Sequence, residues 1–186
     1  MSFTWFDFTD FPARVAELNR LNRLVRETSE LRLRTRAPED IARWEDAVER
    51  WKKFSGFGLD EKFYIFENDR FLAALAAGEA EARACAVTFL EFDPYYHRSG
   101  YMKGKLLVRL KHLALTAREK KQLQQIVCSA IVSPCPRSEF KDYARLLKNI
   151  GTPEFRRRLR ELTVPDLAYL AARRACCLRD VYWPSC

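Results

Sequence analysis

The stretch Pro94-Tyr-Tyr-His-Arg-Ser-Gly-Tyr-Met-Lys-Gly-Lys-Leu-Leu-Val-Arg-Leu-Lys-His-Leu113 holds both histidines of the chain and the start of an amphipathic helix. Leu106, Leu107, Leu110 and Leu113 fall at i, i+1, i+4 and i+7, the spacing of one buried helical face. Tyr95–Gly100 reads as a hinge, so the spacing predicts a helix over Tyr101–Leu113. The same leucine pattern returns forty residues later. Leu106-Leu107 aligns with Leu146-Leu147 and Leu110 with Ile150, and each segment is followed by a threonine that can cap a second helix, Thr116 and Thr152.

Outward from this stretch the periodicity is helical throughout. Pro12 suits a first helical position, with Thr9 or Asp10 as cap, and Val15, Leu18, Leu21, Leu24 and Val25 form a stripe running to about Leu33. Pro38-Glu39-Asp40 opens a second helix with acids where the dipole favours them, and Ile41, Trp44, Val48, Trp51 and Phe54 share its inward face. Gly56 and Gly58 end it. Asp60 is expected to cap a short helix carrying Phe63 and Phe66, although Tyr64-Ile-Phe66 also fits a turn of strand. Asn68 caps the next helix and Gly78 stops it. Glu79–Phe92 follows, with Ala82, Cys85, Ala86, Phe89 and Leu90 inward.

After the leucine helix, Thr116 with Glu119 makes a capping box for a helix burying Leu123, Ile126, Val127, Ala130 and Ile131. Ser133-Pro-Cys-Pro136 is a rigid break, and Ser138 is placed to cap a helix that buries Phe140, Tyr143, Ala144, Leu147 and Ile150. Gly151 ends it, Thr152-Pro153 starts a short helix to Leu162, and Val164-Pro165 starts the last. The fold class is therefore all-α, with eight or nine short helices. An aromatic leader and a helical hairpin occupy residues 1–58, and a basic region occupies residues 59–186, packed as one domain.

The forty-residue offset over residues 59–163 resembles HEAT-like α-helical repeats, in which helix pairs stack so that each covers its neighbour's apolar face. That resemblance implies stacked antiparallel pairs whose inner helices display a binding surface, and it carries no catalytic residues. The proline and Asp/Arg positions typical of such repeats are not cleanly present. An irregular helical bundle, with the match arising among leucine-rich helices, stays open beside it.

At 186 residues with 48% apolar side chains and 6 glycines, the chain is long enough to bury a core. No apolar run approaches the ~18–20 residues needed to span a bilayer, and the N-terminus lacks the basic segment of a secretory signal. The 6 cysteines show no C-x-x-C spacing, which argues against a zinc site or a disulfide framework and for reduced thiols in the cytoplasm.

Catalytic patterns are sparse. Gly100-Tyr-Met-Lys-Gly104-Lys105 is one residue short of a phosphate loop and lacks its Ser/Thr, and a glycine-relaxed entry into a helix explains it more simply. Lys103 and Lys105 at that helix start could still meet an anion. A Cys–His nucleophile would need Cys85 or Cys128 beside His97 or His112, and both cysteines sit on apolar stripes. Glu39/Asp40 and Glu45/Asp46 read as solvated helix faces. No enzyme, cofactor or metal is expected.

Charge carries more. Residues 1–97 hold 14 Lys/Arg against 18 Asp/Glu, and residues 98–186 hold 19 against 7. Such polarity bears on partners and encounter rates. If the repeats stack, Lys105 and Arg109 would lie beside Lys141, Arg145 and Lys148 as one stripe. Lys103 and Arg98 would extend it, with Tyr95, Tyr96, His97 and Tyr101 at its border and Arg156 and Arg157 on the following short helix. The expected function is a non-catalytic module binding an acidic protein, as adaptor or neutraliser. Nucleic acid on the same stripe, through phosphate neutralisation and base stacking, is the alternative.

Overall fold

The computed structural model describes residues 5–55, 65–95, 99–133 and 137–183. Among these residues the chain forms nine α-helices and no strand: α1 (Phe11–Thr35), α2 (Pro38–Ser55), α3 (Asp69–Ala76), α4 (Ala80–Phe92), α5 (Ser99–Leu110), α6 (Ala117–Val132), α7 (Phe140–Ile150), α8 (Pro153–Glu161) and α9 (Ala168–Cys177). No described helix is long and apolar enough to cross a membrane.

Helix boundaries follow local chemistry. The Asn68 side chain accepts the Arg70 N–H at 2.8 Å and opens α3. Gly78, at φ +79°, closes α3, with its own N–H on Leu75 O and that of Glu79 on Ala74 O, the pairing that needs a residue free of a β-carbon. Thr116 and Glu119 form the reciprocal capping box of α6, and Thr152 caps α8. Elsewhere the ends differ from the sequence pattern. Asp10 precedes α1 without a side-chain cap bond, and Asp7 instead takes both the N–H and the hydroxyl of Thr9. Glu139, not Ser138, stands at the start of α7, again without a cap bond. Ile65 and Phe66 sit in a 3-10 turn, not a strand. The last helix starts at Ala168, three residues after Pro165, with residues 162–167 non-helical and Leu170 buried in its first turn. The helix expected from Asp60 and the break at Pro134–Pro136 lie outside the described residues.

The aromatic leader docks on the body. Phe6, Phe8 and Phe11 are buried and pack ring to ring with Phe66, Phe89 and Phe92, while Trp5 sits edge-on to Phe71. Beyond this anchor α1 packs chiefly on α2. Their turn is locked by Asp40, which is buried and accepts from Thr35 Oγ1 at 2.7 Å and Arg43 at 3.2 Å. Asp40 is therefore not part of a solvated acid pair. The inward stripe expected for α2 is also incomplete. Ala47 is its centre, while Ile41 and Phe54 remain 39% and 37% exposed; among the described residues α1 is the one helix that covers α2 extensively. The Arg32 guanidinium lies 3.4 Å over the Trp44 ring and shields part of that face.

The remaining helices form two neighbouring rows. Helix α5 packs on both α3 and α7, while α4 packs on α6, and α9 closes the far end against α6 and α7. The leucine faces of α5 and α7 match the pattern, with Leu106, Leu107 and Leu110, and Leu146, Leu147 and Ile150, all 0% exposed, whereas the inward face expected for the last helix keeps Leu170 and Cys177 buried but leaves Leu167 and Val181 42% and 65% exposed. Close approach of α5 to α7 explains Gly100 and Gly104. A β-carbon on Gly100 would stand 2.9 Å from Ser138 Oγ and Glu139 Oε2, and one on Gly104 would stand 3.2 Å from Asp142 Oδ2. Both glycines are helical, so the segment is neither a phosphate loop nor a relaxed loop. The chain end tucks back: Trp183 donates its indole N–H to Cys177 O at 2.9 Å and packs near Phe155 and over Gly151.

One ionic cluster joins three segments. Asp93, in the left-handed region at φ 50° after α4, takes the Lys103 ammonium at 2.6 Å and the Arg137 guanidinium in bidentate fashion. Glu139 lies 3.5 Å from the same guanidinium. Lys103 and Arg137 keep 1% and 3% of their side-chain surface, and Asp93 keeps 37%. Burial works to raise the Asp93 carboxyl, but Arg137 and Lys103 outweigh it and hold the group below the usual carboxylate range. Burial is the larger influence on Lys103 and lowers its ammonium against the pull of Asp93. Beside the cluster, burial pushes the Tyr143 phenol well above its ordinary value, and its hydroxyl has no hydrogen-bond partner. Tyr143→Phe is therefore expected to raise stability by about 1 kcal/mol, since it deletes an unsatisfied buried hydroxyl. A urea midpoint that falls would mean the hydroxyl is satisfied in solution.

A candidate basic surface on the later helices

The cations expected to form one stripe have different fates. Lys103 does not join the stripe: it is buried and donates to Asp93. Tyr95 is half-buried, with its N–H on Asn19 Oδ1 at 3.1 Å and its carbonyl held by the Asn22 amide, so it clasps α1 to the body. Tyr96, His97 and Arg98 lie outside the described residues.

Tyr101, Lys105 and Arg109 stand on α5, and Lys141, Arg145 and Lys148 on α7, which packs beside it. The Lys105 ammonium sits 4.5 Å over the Tyr101 ring and 4.0 Å from Glu67. Arg109 donates to Lys105 O at 3.0 Å, and Arg145 pairs with Asp142 at 3.0 Å. Lys141 and Lys148 are exposed. Between the two helices runs a groove of about 340 Å³ lined by Tyr101, Lys105, Val108 and Arg109 on one side and Ser138, Glu139 and Asp142 on the other. Cations and acids therefore alternate along this groove among the described residues.

A second groove, about 500 Å³, lies between α6 and α8. Its walls carry Lys120 and Lys121 from α6 and Arg157 and Arg158 from α8, above the buried ring of Phe155. None of these four cations is within ion-pair distance of an acid. Glu154 and Glu161 also line it, leaving a net charge of +2. The capping box of α6 and the Thr152 cap of α8 fix the register that points both basic pairs at one space. Arg156, the remaining basic residue of that run, faces the chain end instead, where it pairs with Asp180, donates to Leu178 O and lies 5.4 Å from the Trp183 ring. Of the expected site residues, Arg157 belongs to this groove and Arg156 does not. Adjacent residues of α8 are about 100° apart, Arg157 and Arg158 as much as Arg156 and Arg157, so the sequence does not single out the pair that faces α6.

Cys85, Cys128 and Cys177 are packing groups. Burial pushes Cys85 and Cys177 up to about 12, so neither is a thiolate near neutral pH. Cys128 is also buried and raised. His112 is exposed, and no group of three or more His, Cys, Asp or Glu side chains among the described residues is arranged to hold a metal.

Comparison with family models, with curated proteins and with solved structures returns no match, so the functional reading rests on this geometry.

Proposed function

We propose that the chain is a non-catalytic helical module that binds an acidic protein partner, as an adaptor or a neutraliser. The observation that carries the reading is the α6–α8 groove, where Lys120, Lys121, Arg157 and Arg158 surround an apolar floor without ion partners. Unpaired cations over buried aromatic surface suit carboxylates flanking an apolar anchor, and their field speeds encounter with an acidic surface. The rows α3–α5–α7 and α4–α6 follow the neighbour order of a HEAT-like stack, which supports that architecture as part of the proposal. Buried, raised thiols suit a reducing cytoplasm.

The test is co-purification of partners from the native source, followed by Lys120→Glu/Arg157→Glu/Arg158→Glu. Binding is expected to weaken about 100-fold, from roughly 1 kcal/mol lost per reversed charge. Reversal of Lys141 and Lys148 on the α5–α7 face should change it less than about threefold. Retained binding in the triple variant removes the groove as the interface. A captured nucleic acid with a steep salt dependence would replace the protein-partner reading.

A further inference from the structure

The walls of the α6–α8 groove carry their charges in a fixed order. On α8 the lining residues Glu154, Arg157, Arg158 and Glu161 fall at i, i+3, i+4 and i+7, a single helical stripe. On α6 the lining residues Ala117, Lys120, Lys121 and Gln124 fall at the same intervals. Each stripe has a basic pair at its two central positions. The outer positions are acidic at both ends on α8 and neutral at both ends on α6. Phe155 and Leu159, 2% and 0% exposed, fix the rotation of α8, so its four stripe residues all stay exposed. At 1.5 Å rise per residue, each glutamate stands about 5 Å along the axis from the centre of the arginine pair. Among the described residues no two of these four side chains are within ion-pair distance. Pairs between exposed groups on one helix are weak, so a ligand's charges compete with them easily.

This order selects a ligand. A continuous polyanion laid along α8 gains at Arg157 and Arg158 and loses at both Glu154 and Glu161. Two adjacent acids gain at the arginines alone, and a cation on either side of them meets a glutamate. An extended chain advances about 3.3 Å per residue. The residues next to an acidic pair therefore lie about 5 Å from its centre, the offset of the two glutamates. The order basic, acidic, acidic, basic fits this wall in either chain direction, because both are symmetric. Resting on the reading of this groove as the partner site, we propose that its ligand is an extended peptide segment with two adjacent carboxylates flanked by cations, not an uninterrupted acidic run.

The test titrates two end-capped peptides, Ala-Lys-Asp-Asp-Lys-Ala and Ala-Asp-Asp-Asp-Asp-Ala, and a short oligothymidylate into the full ¹⁵N-labelled chain. Salt is held at about 0.15 M, where charges more than about 8 Å apart are largely screened. Saturable shifts are expected at the Lys121 and Arg157 amides, with the lysine-flanked peptide the tightest of the three probes. Glu154→Gln/Glu161→Gln should move the ratio of the two peptide affinities about tenfold towards the tetra-aspartate, at about threefold per exposed charge. A ratio that moves less than about twofold, oligothymidylate as the tightest ligand of the wild type, or no saturable shift with either peptide would each overturn the proposal. Lys120→Glu/Arg157→Glu/Arg158→Glu separates this from the groove itself. If that variant abolishes peptide binding while the glutamine variant leaves the ratio unmoved, the groove stands and the flanked acidic pair falls. If peptide binding survives the triple reversal, both fall.

Discussion

Phe66→Ala is expected to destabilise the protein by about 4 kcal/mol, the largest effect of any single truncation considered. Phe66 is 0% exposed and its ring centroid lies 4.0 Å from Phe89, 5.3 Å from Phe6 and 5.4 Å from Phe71. The ring is therefore the common wall between the N-terminal leader and helices α3 and α4. Removing it deletes buried apolar surface and leaves a void that its neighbours, themselves held by rings on several sides, cannot fill by small shifts. The leader should also loosen, because Phe6 and Phe8 lose the surface they dock on. The checks are a lowered urea midpoint and faster proteolysis ahead of α1. Phe54→Ala is the contrast, since that ring is 37% exposed and its loss should cost within about 0.5 kcal/mol. Equal effects from the two would mean the leader is not part of the core.

What the sequence made legible was local. The capping box at Thr116, the glycine stop at Gly78 and the leucine faces of α5 to α7 each depend on residues within a turn or two of one another, so pattern alone locates them. The incomplete burial of α2 could not be read this way. Its stripe at Ile41, Trp44, Val48, Trp51 and Phe54 is as regular as any other, and whether a stripe is covered depends on how many neighbours the helix has. The charged residues show the same limit. Lys103 and Lys105 look alike in sequence, yet one points at Asp93 inside and the other at the Tyr101 ring outside. Gly100 and Gly104 read from spacing alone as a relaxed entry into a helix, because the approach of residues 138–142 that fixes them lies far away in sequence. Grouping by sign over half the chain placed the working surface on α5 and α7. Ion pairs to Asp142, Glu67 and Asp93 draw charge out of that face, leaving Arg109, Lys141 and Lys148, whereas Lys120, Lys121, Arg157 and Arg158 line one groove between α6 and α8.

Asp93→Asn is expected to cost about 3 kcal/mol, through loss of charge and not of shape. Asparagine keeps the left-handed backbone at φ 50° accessible and retains one acceptor, so the helix end is preserved. What it removes is the counter-charge for Lys103 and Arg137, which keep 1% and 3% of their surface. Breaking a buried pair by deleting one partner costs about 3–5 kcal/mol. The lower end applies because water reaches Asp93 itself, whose side chain is 37% exposed. The pH profile separates this from a packing effect. Asp93 titrates below its ordinary 3.8 in the folded chain. Its contribution is therefore complete above that ordinary value and is lost as pH falls through the depressed one. Wild type should show this acid limb, and Asp93→Asn should show a shallower one. Lys103 is lowered from 10.5, so folded stability rises as pH climbs from the depressed value towards 10.5. Without Asp93 the ammonium loses its main support, and that rise should begin at lower pH. Lys103→Met provides the opposite case: it deletes the buried ammonium and leaves Asp93 with the bidentate Arg137, so its cost should stay below about 1.5 kcal/mol. If Asp93→Asn and Lys103→Met proved equally mild, with parallel pH profiles, the cluster would be a solvated surface contact and the joint between α4, α5 and α7 would rest on leucine packing alone.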